Sequence, residues 1–354
     1  MVLAGAGTAG HIEPALAVAD AWRQKFPKSE FEFVGTMAGL ENSLVTGAGY
    51  KLSTIPKVTL PRSLNPAGLL APLRFAQALS KSLQIVDGAD CVVGFGGYVS
   101  APIYLAAALR RIEFVIHEAN AIPCWANKFG AFLGGAMAVG KSVKTGKFKG
   151  AEVVGLPLKP AISAALDLAK SDWPAARSSA KAKLGIKSSK PLILIMGCSQ
   201  GSATINSIVA SSLSNLLIDF ELLHSVGGKN QLPPASDGYQ PVSYIQDMAT
   251  AYLAADLIIG RSGAITCAEV NALGKYAIFI PLAIGNGEQA RNADLLIEQG
   301  RAEIVPQSEF SAQWLIKNVS RALAKSQELM AGNESDRDAA ANIVKLMQRH
   351  ARIA

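Results

Sequence analysis

The stretch VLAGAGTAGH, residues 2–11, places a short apolar run directly before a glycine-rich turn. The same order returns in the second half as PLILIMGCSQGS, residues 191–202. An apolar strand that enters a glycine turn and then a helix is typical of the opening of a nucleotide-binding α/β domain. The repetition therefore predicts two domains of this kind, each opening on one of the two stretches.

The rest of the chain alternates short apolar runs with longer amphipathic segments, which is the pattern of a parallel, doubly wound sheet. We predict an α/β protein of two doubly wound Rossmann-like domains facing across a cleft. Residues 155–190 combine prolines with a polar run, which is typical of a linker. The predicted domains cover residues 1–158 and 159–335, followed by a helix within 336–354 whose docking the sequence leaves open. The predicted strands are the apolar runs at 2–5, 31–35, 91–95, 114–118, 191–197, 221–227, 257–263, 276–282 and 302–307.

The composition excludes a disordered or fibrous protein, because 50% of the 354 residues are hydrophobic and only 17% are charged. The net charge of +7 is uneven, since residues 1–150 contain 15 basic and 9 acidic residues, a surplus of 6. A negatively charged partner is therefore expected in the first half. Composition alone leaves nucleic acid, anionic lipid and a phosphorylated substrate open.

The four cysteines are scattered singly, so the sequence predicts neither a disulfide framework nor a zinc site, and a reducing cytosol is the expected compartment. The residues after Met1 lack the pattern of a signal peptide. The uncharged stretch 91–109 approaches membrane-spanning length, but its glycines and proline favour a strand, a turn and a helix. We therefore expect no membrane span.

The first glycine turn, GAGTAG at 5–10, matches the dinucleotide pattern G-x-G-x-x-G. An NAD site also needs an acid at the end of the second strand, where Gly35 and Thr36 stand instead. We therefore predict a phosphate-binding loop before a helix with Pro14 in its first turn, while a tight turn without a ligand remains an alternative. His11, at the mouth of the loop, is a candidate general base or a structural histidine bonded to a backbone carbonyl.

A second constellation occupies RSGAITCAEVNALG, residues 261–274. Ser262 is a predicted helix N-cap and Gly274 a predicted stop. The amides that open this helix would face a pyrophosphate. Glu269 lies on the same helix face one turn later, where it could accept hydrogen bonds from ribose hydroxyls. An ordinary solvated glutamate is the alternative.

Six motifs follow one another along the chain: GAGTAGHIEPALAVA, VVGFGGYVSAP, HEANAIPCWANK, GCSQGSATIN, YIQDMATAYLAADLIIGRSGAITCAEVNALG and NGEQARNA. In this order and at these spacings they resemble the MurG family, the peripheral membrane N-acetylglucosaminyltransferases of bacterial peptidoglycan synthesis. The resemblance extends from Val2 to about Phe310. It implies a GT-B fold and an inverting transfer of GlcNAc that uses neither a metal nor a cofactor. The implied donor is UDP-GlcNAc, and the acceptor is the C4 hydroxyl of MurNAc in lipid I (undecaprenyl-pyrophosphoryl-MurNAc-pentapeptide), which becomes lipid II.

The resemblance also implies a donor site. The Ile245 backbone is implied to read the uracil edge, Glu269 to hold the ribose and Ser199 to hold phosphate. Gln289 is implied to bond sugar hydroxyls. The other implied donor-binding residues are Thr8, Ala9, Gly10, Asn120, Lys159, Ala264, Ile265, Thr266, Cys267 and Ala268.

Two residues are candidates for the general base that accepts the acceptor's proton. His11 matches the histidine that the family favours in this role, and Glu118 is the second candidate. Several positions differ from the family pattern, and at one of them a lysine replaces an arginine, so a point charge replaces a planar fork. The differing residues are Ala6, Ala9, Glu13, Ala119, Leu156, Lys159 and Glu288.

Residues 42–86 contain five basic residues and no acidic one. Within them, residues 64–82 bring together Leu69, Leu70, Leu73, Phe75 and Leu79, an apolar strip that suits docking on an anionic membrane surface. A core helix with a solvated basic face is the alternative, and the resemblance favours docking at the cytoplasmic face of the cell membrane. Nucleic acid is not expected, since aromatic residues do not interleave with the basic ones. Other cell wall synthesis proteins are possible partners.

Three other functions stay open on the residues alone. The first is a UDP-sugar transferase that acts on a different lipid. The second is a UDP-GlcNAc 2-epimerase, which would consume the donor without an acceptor. The third is a sugar-nucleotide-binding subunit that anchors a catalytic partner to the membrane.

Overall fold

The chain divides into two compact units. Residues 1–159 and 335–354 form the first, called the N-terminal domain below, and residues 160–334 form the C-terminal domain. The computed structural model describes all residues except 58–70, 199, 283–286, 328–331 and 352–354.

The described residues of the N-terminal domain form a sheet of seven parallel strands. The strand order reverses between β1 and β4, and an open α/β sheet binds ligands at the carboxyl ends of the strands on either side of such a point. The strands are β1 (Val2–Ala4), β2 (Glu32–Gly35), β3 (Lys51–Thr54), β4 (Val92–Gly94), β5 (Phe114–Glu118), β6 (Ala136–Val139) and β7 (Glu152–Val153), in the order β3-β2-β1-β4-β5-β6-β7.

Helices cover both faces of this sheet, which is why its central strands are buried and read as continuous apolar runs. The helices are α1 (Ala9–Lys25), α2 (Glu41–Gly47), α3 (Ala71–Ile85), α4 (Ser100–Arg110) and α5 (Trp125–Phe132), with a 3₁₀ turn at Lys147–Gly150.

The C-terminal domain repeats the plan with six parallel strands among the residues that the structure describes. They are β8 (Leu192–Met196), β9 (Glu221–Ser225), β10 (Tyr239–Val242), β11 (Leu257–Gly260), β12 (Ala277–Phe279) and β13 (Ala302–Ile304), in the order β10-β9-β8-β11-β12-β13. Its helices are α6 (Pro160–Ser171), α7 (Trp173–Lys183), α8 (Ala203–Asp219), α9 (Met248–Ala254), α10 (Ala264–Ala272), α11 (Glu288–Asn292), α12 (Asp294–Glu298) and α13 (Ala312–Gln327). The prediction of two doubly wound Rossmann-like domains is confirmed.

Two local predictions are wrong. The expected linker at 155–190 contains α6 and α7, because its prolines mark helix starts: Pro160 opens α6 and Pro174 is the second residue of α7. The Asp172 side chain caps α7 by accepting a hydrogen bond from the Ala175 amide at 3.0 Å. Pro14 lies in the second turn of α1 rather than the first, because that helix already begins at Ala9.

A last helix, α14 (Ala339–Ala351), returns to the N-terminal domain and packs against α1. Its buried residues Ile343, Val344 and Met347 belong to the same apolar cluster as Trp22 of α1. Before it, the Asp336 carboxylate accepts a hydrogen bond from the Leu156 amide at 2.9 Å, which fixes the point of return.

Candidate functional site

His11 lies in the first turn of α1, directly after the glycine turn that follows β1. Its Nδ1 atom is 3.1 Å from the Ala6 carbonyl oxygen and 3.3 Å from Thr8 Oγ1. Because a carbonyl oxygen only accepts, the bond to Ala6 requires the hydrogen on Nδ1, which leaves a lone pair on Nε2. Burial lowers the pKa of His11 below its ordinary value of 6.5, against the opposing effects of the Ala6 carbonyl, Glu118 and Glu41. The imidazole is therefore neutral at pH 7, as a general base must be.

The loop that follows β4 approaches His11 closely. Gly96 and Gly97 have φ values of +90° and +83°, in the left-handed region that favours glycine. A methyl group added to Gly96 would lie 3.4 Å from His11 Nε2 and 3.2 Å from Cys124 Sγ. One added to Gly97 would lie 2.6 Å from the Ala6 carbonyl oxygen. Both glycines are therefore needed to keep this loop against the histidine.

Glu118, the second base candidate, is 2% exposed at the end of β5. Its Oε1 atom accepts hydrogen bonds from the backbone amide and side-chain Nδ2 of Asn120, at 2.9 and 3.0 Å. Its Oε2 atom accepts from the Cys124 amide at 2.8 Å and from Asn127 Nδ2 at 3.0 Å. The carboxylate therefore already accepts four hydrogen bonds. For this reason we assign Glu118 a positioning role in the loop before α5 instead of the predicted role as a base. Asn120 is part of the same arrangement.

Three of the five implied donor-binding residues of the N-terminal domain lie at the start of α1. Thr8 is the exposed N-cap residue of α1, and Ala9 and Gly10 open its first turn. Lys159 lies elsewhere and forms an ion pair with Glu13, a residue of α1 that is 8% exposed. Its charge is therefore already paired with a buried carboxylate.

In the C-terminal domain, α10 begins one residue later than predicted. Its N-cap is Gly263, with φ −64° and ψ 149°. Ser262, the predicted N-cap, lies before this extended residue and is fully buried, and its Oγ atom has no hydrogen-bond partner in the described structure. The predicted stop is confirmed, because Gly274 follows the helix with a φ of +63°.

The implied phosphate-binding residues divide into two groups along α10. Ala264, Ile265 and Thr266 form its first turn, where backbone amides point away from the helix. Cys267 and Ala268 are 0% and 1% exposed. Their side chains belong to the core, so the expectation that they contact a ligand is corrected to a packing role.

Glu269 has a fixed orientation. It is 8% exposed on the second turn of α10, and its Oε2 atom accepts a hydrogen bond of 2.8 Å from the hydroxyl of Tyr252. Tyr252 is fully buried on α9. The alternative of an ordinary solvated glutamate is therefore wrong. Sequence reasoning missed Tyr252, since a tyrosine inside an apolar helix reads as core.

The second glycine turn follows β8. Ser199, the implied phosphate ligand, lies outside the described residues. Cys198 before it adopts a left-handed φ of +64°, and a methyl group added to Gly201 would collide with the Val226 carbonyl. The Asn230 side chain donates hydrogen bonds to the carbonyls of Val226, at 2.7 Å, and Gln200, at 3.2 Å. The loops after β8 and β9 are thus locked together.

Arg261 ties this turn to the start of α10. Its buried guanidinium donates hydrogen bonds to Ser202 Oγ at 2.9 Å, to the Ile280 carbonyl at 2.8 Å and to Gln307 Oε1 at 2.6 Å. Ser202 is the N-cap of α8. The same side chain therefore sets the distance between two helix starts. Sequence reasoning missed this role, although Arg261 is the first residue of the motif RSGAITCAEVNALG.

Two further implied residues lie in the connections that follow β10 and β12. Ile245 is 8% exposed in the segment between β10 and α9. Gln289 lies on α11, and its Oε1 atom accepts a hydrogen bond from the Leu282 amide at 2.9 Å. Among the described residues, no group of three His, Cys, Asp or Glu side chains is placed to hold a metal ion.

The apolar strip proposed for membrane docking is partly internal. Residues 64–70 lie outside the described structure. Phe75 and Leu79 pack against the core of the N-terminal domain, whereas Leu73 is 57% exposed. Leu109 and Phe132, which the sequence analysis missed, are 59% and 70% exposed. No helix within the described ranges is long and apolar enough to cross a membrane.

Comparison with known proteins identifies both domains. Residues 1–138 match the Glycosyltransferase family 28 N-terminal domain, and residues 192–348 match the Glycosyltransferase family 28 C-terminal domain. The two sheets and these two matches together define a two-domain glycosyltransferase.

The similarity to individual proteins is more specific. The UDP-N-acetylglucosamine--N-acetylmuramyl-(pentapeptide) pyrophosphoryl-undecaprenol N-acetylglucosamine transferase of Corynebacterium efficiens is 45% identical over 90% of this chain and 87% of its own length. The protein of the same name from Frankia casuarinae is 41% identical over 98% of this chain and 94% of its own. A crystal structure of Acinetobacter baumannii MurG has a TM-score of 0.68 and 27% identity, covering 98% of this chain and 99% of that one. The chain belongs to the MurG family.

Proposed function

We propose that the chain transfers N-acetylglucosamine from UDP-GlcNAc to the C4 hydroxyl of MurNAc in lipid I, with inversion and without a metal, to form lipid II. The names of the relatives that are 41–45% identical support this donor and this acceptor. The structural observation that best supports the donor site is the hydrogen bond from Tyr252 to Glu269, which fixes this carboxylate one turn after the start of α10.

The start of α10 binds the diphosphate of UDP in this proposal. Backbone amides at a helix N-terminus and the helix dipole both favour negative charge. Ser199 and the Thr266 hydroxyl add hydrogen bonds to the phosphates. Glu269 cannot serve them, since two negative charges repel, and it accepts hydrogen bonds from the ribose hydroxyls instead. The Ile245 backbone reads the uracil edge.

His11 acts as the general base. Its Nε2 lone pair takes the proton of the C4 hydroxyl while the hydroxyl oxygen attacks C1 of GlcNAc. The new C–O bond forms on the face opposite the leaving diphosphate, so the configuration at C1 inverts. The bond from C1 to the phosphate oxygen breaks, and UDP leaves with the electron pair. Its charge is stabilised by the amides of α10, which do not reorganise during the reaction.

We also propose peripheral docking of the N-terminal domain on the cytoplasmic face of an anionic membrane. The basic surplus of residues 1–150 supports this location, since cations near a lipid surface gain energy from its negative potential. The exposed side chains of Leu73, Leu109 and Phe132 offer apolar contacts. Lys147 Nζ lies 5.0 Å from the centre of the Phe132 ring, which places a cation beside one of them.

A single reaction tests the activity. The purified chain is mixed with UDP-GlcNAc and a lipid I analogue, and we expect one disaccharide product for each UDP released. Donor consumed without an acceptor would support an epimerase instead. Product formed only with a different lipid would show that the acceptor is not lipid I. UDP-GlcNAc binding without any product would support a sugar-nucleotide-binding subunit instead of an enzyme.

Vesicle flotation tests the docking surface. We expect the chain to float with anionic vesicles and not with neutral ones. Phe132→Ser should weaken flotation, whereas the matched control Ile218→Ser, on an exposed residue of the C-terminal domain, should not. Equal flotation with neutral vesicles, or none with anionic ones, would contradict this surface.

A further inference from the structure

A buried carboxylate lies beneath the first glycine turn. Glu41, the first residue of α2, is 0% exposed. Its Oε2 atom accepts a hydrogen bond from the Gly7 amide at 3.1 Å. Its Oε1 atom accepts hydrogen bonds from the amide and the hydroxyl of Thr36, at 2.7 and 2.8 Å. This one side chain therefore joins the loop after β1 to the loop after β2.

Two glycines make room for this carboxylate. A methyl group added to Gly39 would collide with both carboxylate oxygens of Glu41, and one added to Gly35 would collide with its Cγ atom. Neither glycine has a positive φ. The close approach of Glu41, rather than an unusual backbone conformation, therefore excludes larger residues at both positions.

The Gly7 amide is one end of a rigid unit whose other end contacts His11. The Ala6 carbonyl and the Gly7 N–H belong to the same planar peptide group, and in a trans peptide they point in opposite directions. Glu41 accepts from the N–H end. His11 Nδ1 lies 3.1 Å from the carbonyl end. Rotation of this plane would break both contacts together.

We propose that Glu41 is a positioning residue for the transfer reaction. By holding the Ala6–Gly7 peptide plane, it directs the Ala6 carbonyl at His11, which keeps the hydrogen on Nδ1 and the lone pair on Nε2. The proposal rests on the assignment of His11 as the base. The Glu41 side chain is fully buried, so it acts on His11 only through the Ala6–Gly7 peptide.

Three substitutions distinguish the effect of the length of the Glu41 side chain from the effect of its charge. Glu41→Asp keeps the charge but shortens the side chain by one methylene, so it cannot reach Gly7 and Thr36 together. Glu41→Gln keeps the length but presents an NH₂ group to one of the donors. Gly39→Ala leaves Glu41 intact and displaces its carboxylate. Glu32→Gln is the matched control, because Glu32 lies on β2 and its carboxylate accepts hydrogen bonds from Lys51 and Ser53 of the neighbouring strand β3.

The first measurement is kcat for the lipid I analogue, expressed per folded molecule. We expect each of the three substitutions to lower kcat about tenfold to a hundredfold, the loss associated with a displacement of about 1 Å at a catalytic group. Glu32→Gln should retain wild-type kcat. A Glu41 variant that folds and keeps wild-type kcat would overturn the proposal.

The second measurement needs no activity. ¹⁵N NMR of the imidazole nitrogens reports which one carries the hydrogen, and His11 is assigned among the four histidines by the signal missing from His11→Gln. We expect hydrogen on Nδ1 in the wild type and in Glu32→Gln, and a mixture of tautomers in the three test variants. Unchanged tautomers in those variants would refute the role of Glu41. If the wild type transfers no sugar, the proposed function fails, yet this spectrum still decides whether Glu41 positions His11.

Discussion

Lys159 Nζ lies 2.7 Å from Oε1 of Glu13. The two residues are far apart in sequence, and both are among the positions at which the chain differs from the family pattern. The structure joins the two differences in one ion pair. The Glu13 side chain is nearly buried, while that of Lys159 is 32% exposed. We infer that Lys159 stabilises the N-terminal domain by neutralising Glu13.

Lys159→Met tests this role. It leaves a buried carboxylate without its cation, and we expect the free energy of unfolding to fall by about 2 kcal/mol, less than for a fully buried pair because Lys159 is partly hydrated. Glu13→Gln combined with Lys159→Met should recover part of the lost stability. Urea unfolding of the wild type, the two single variants and the double variant measures this recovery. UDP affinity should stay within about twofold on this interpretation. A large loss of UDP affinity at unchanged stability would instead support a role of Lys159 in donor binding.

His11→Gln removes the base and keeps a polar side chain. We expect kcat to fall by about 10²- to 10⁴-fold, the usual contribution of general base catalysis. UDP affinity, measured by calorimetry, should stay nearly unchanged because the proposed phosphate contacts lie on α10 and not on His11. Near wild-type turnover in this variant would remove His11 from the mechanism.

The pH profile of the wild-type enzyme tests the same residue without a substitution. Only neutral His11 accepts a proton, so activity should fall as pH decreases through its pKa in the folded enzyme. Burial lowers that pKa below its ordinary value of 6.5, so kcat/KM should fall to half of its plateau value only below pH 6.5. A half-maximal point above pH 6.5 would mean that the base is not this imidazole.

Tyr252→Phe removes the hydroxyl that holds Glu269. We expect KM for UDP-GlcNAc to rise about threefold to tenfold with a smaller change in kcat, since a lost hydrogen bond to a charged group corresponds to about 1 kcal/mol or more. Tyr276→Phe is the matched control, because Tyr276 is equally buried but lies directly before β12, at the amino end of that strand. An equal rise of KM in both variants would show a general loss of stability instead.

Lys275 provides a test of stability against pH. Its Nζ atom donates to the Ala255 carbonyl at 2.7 Å and lies 3.8 Å from the centre of the Trp173 ring. Burial lowers the pKa of Lys275 to about 7, from an ordinary value of 10.5. Between these values the unfolded chain binds the extra proton, so this group makes stability rise with pH, by at most about 1.4 kcal/mol per pH unit.

The corresponding measurement is urea unfolding at pH 7.0, 7.75 and 8.5. The stability difference between the wild type and Lys275→Met should change across this range in favour of the wild type. A difference that is independent of pH would show that Lys275 is charged in the folded protein. The range stops at pH 8.5 because burial raises the pKa of Cys91 and of Cys124 to about 12, and these thiols reduce stability at higher pH.

The buried strands could be predicted from sequence because a strand covered on both faces contains little but apolar residues. β1, β5 and β8 are of this kind. β3 escaped prediction because its residues are exposed or half-buried, so KLST carries no apolar run. β10 escaped because Tyr239–Val242 contains a polar residue and a proline at the edge of its sheet.

The site was only partly predictable for a different reason. His11 and Glu269 follow recognisable motifs, so their positions could be found. The residues that hold them could not, because Tyr252 contacts Glu269, and Glu41 contacts the Ala6–Gly7 peptide beside His11, only after folding brings distant segments together. The role of Glu118 was misjudged for the same reason: a sequence shows a carboxylate but not the four donors that surround it.

The return of α14 to α1 affects how the protein is made. Residues 160–334 leave the ribosome as one continuous segment and can complete the C-terminal domain during synthesis. The N-terminal domain begins first but finishes last, because Ile343, Val344 and Met347 complete its core. Until α14 has been synthesised, the nascent chain exposes the apolar face of α1 to chaperones and proteases.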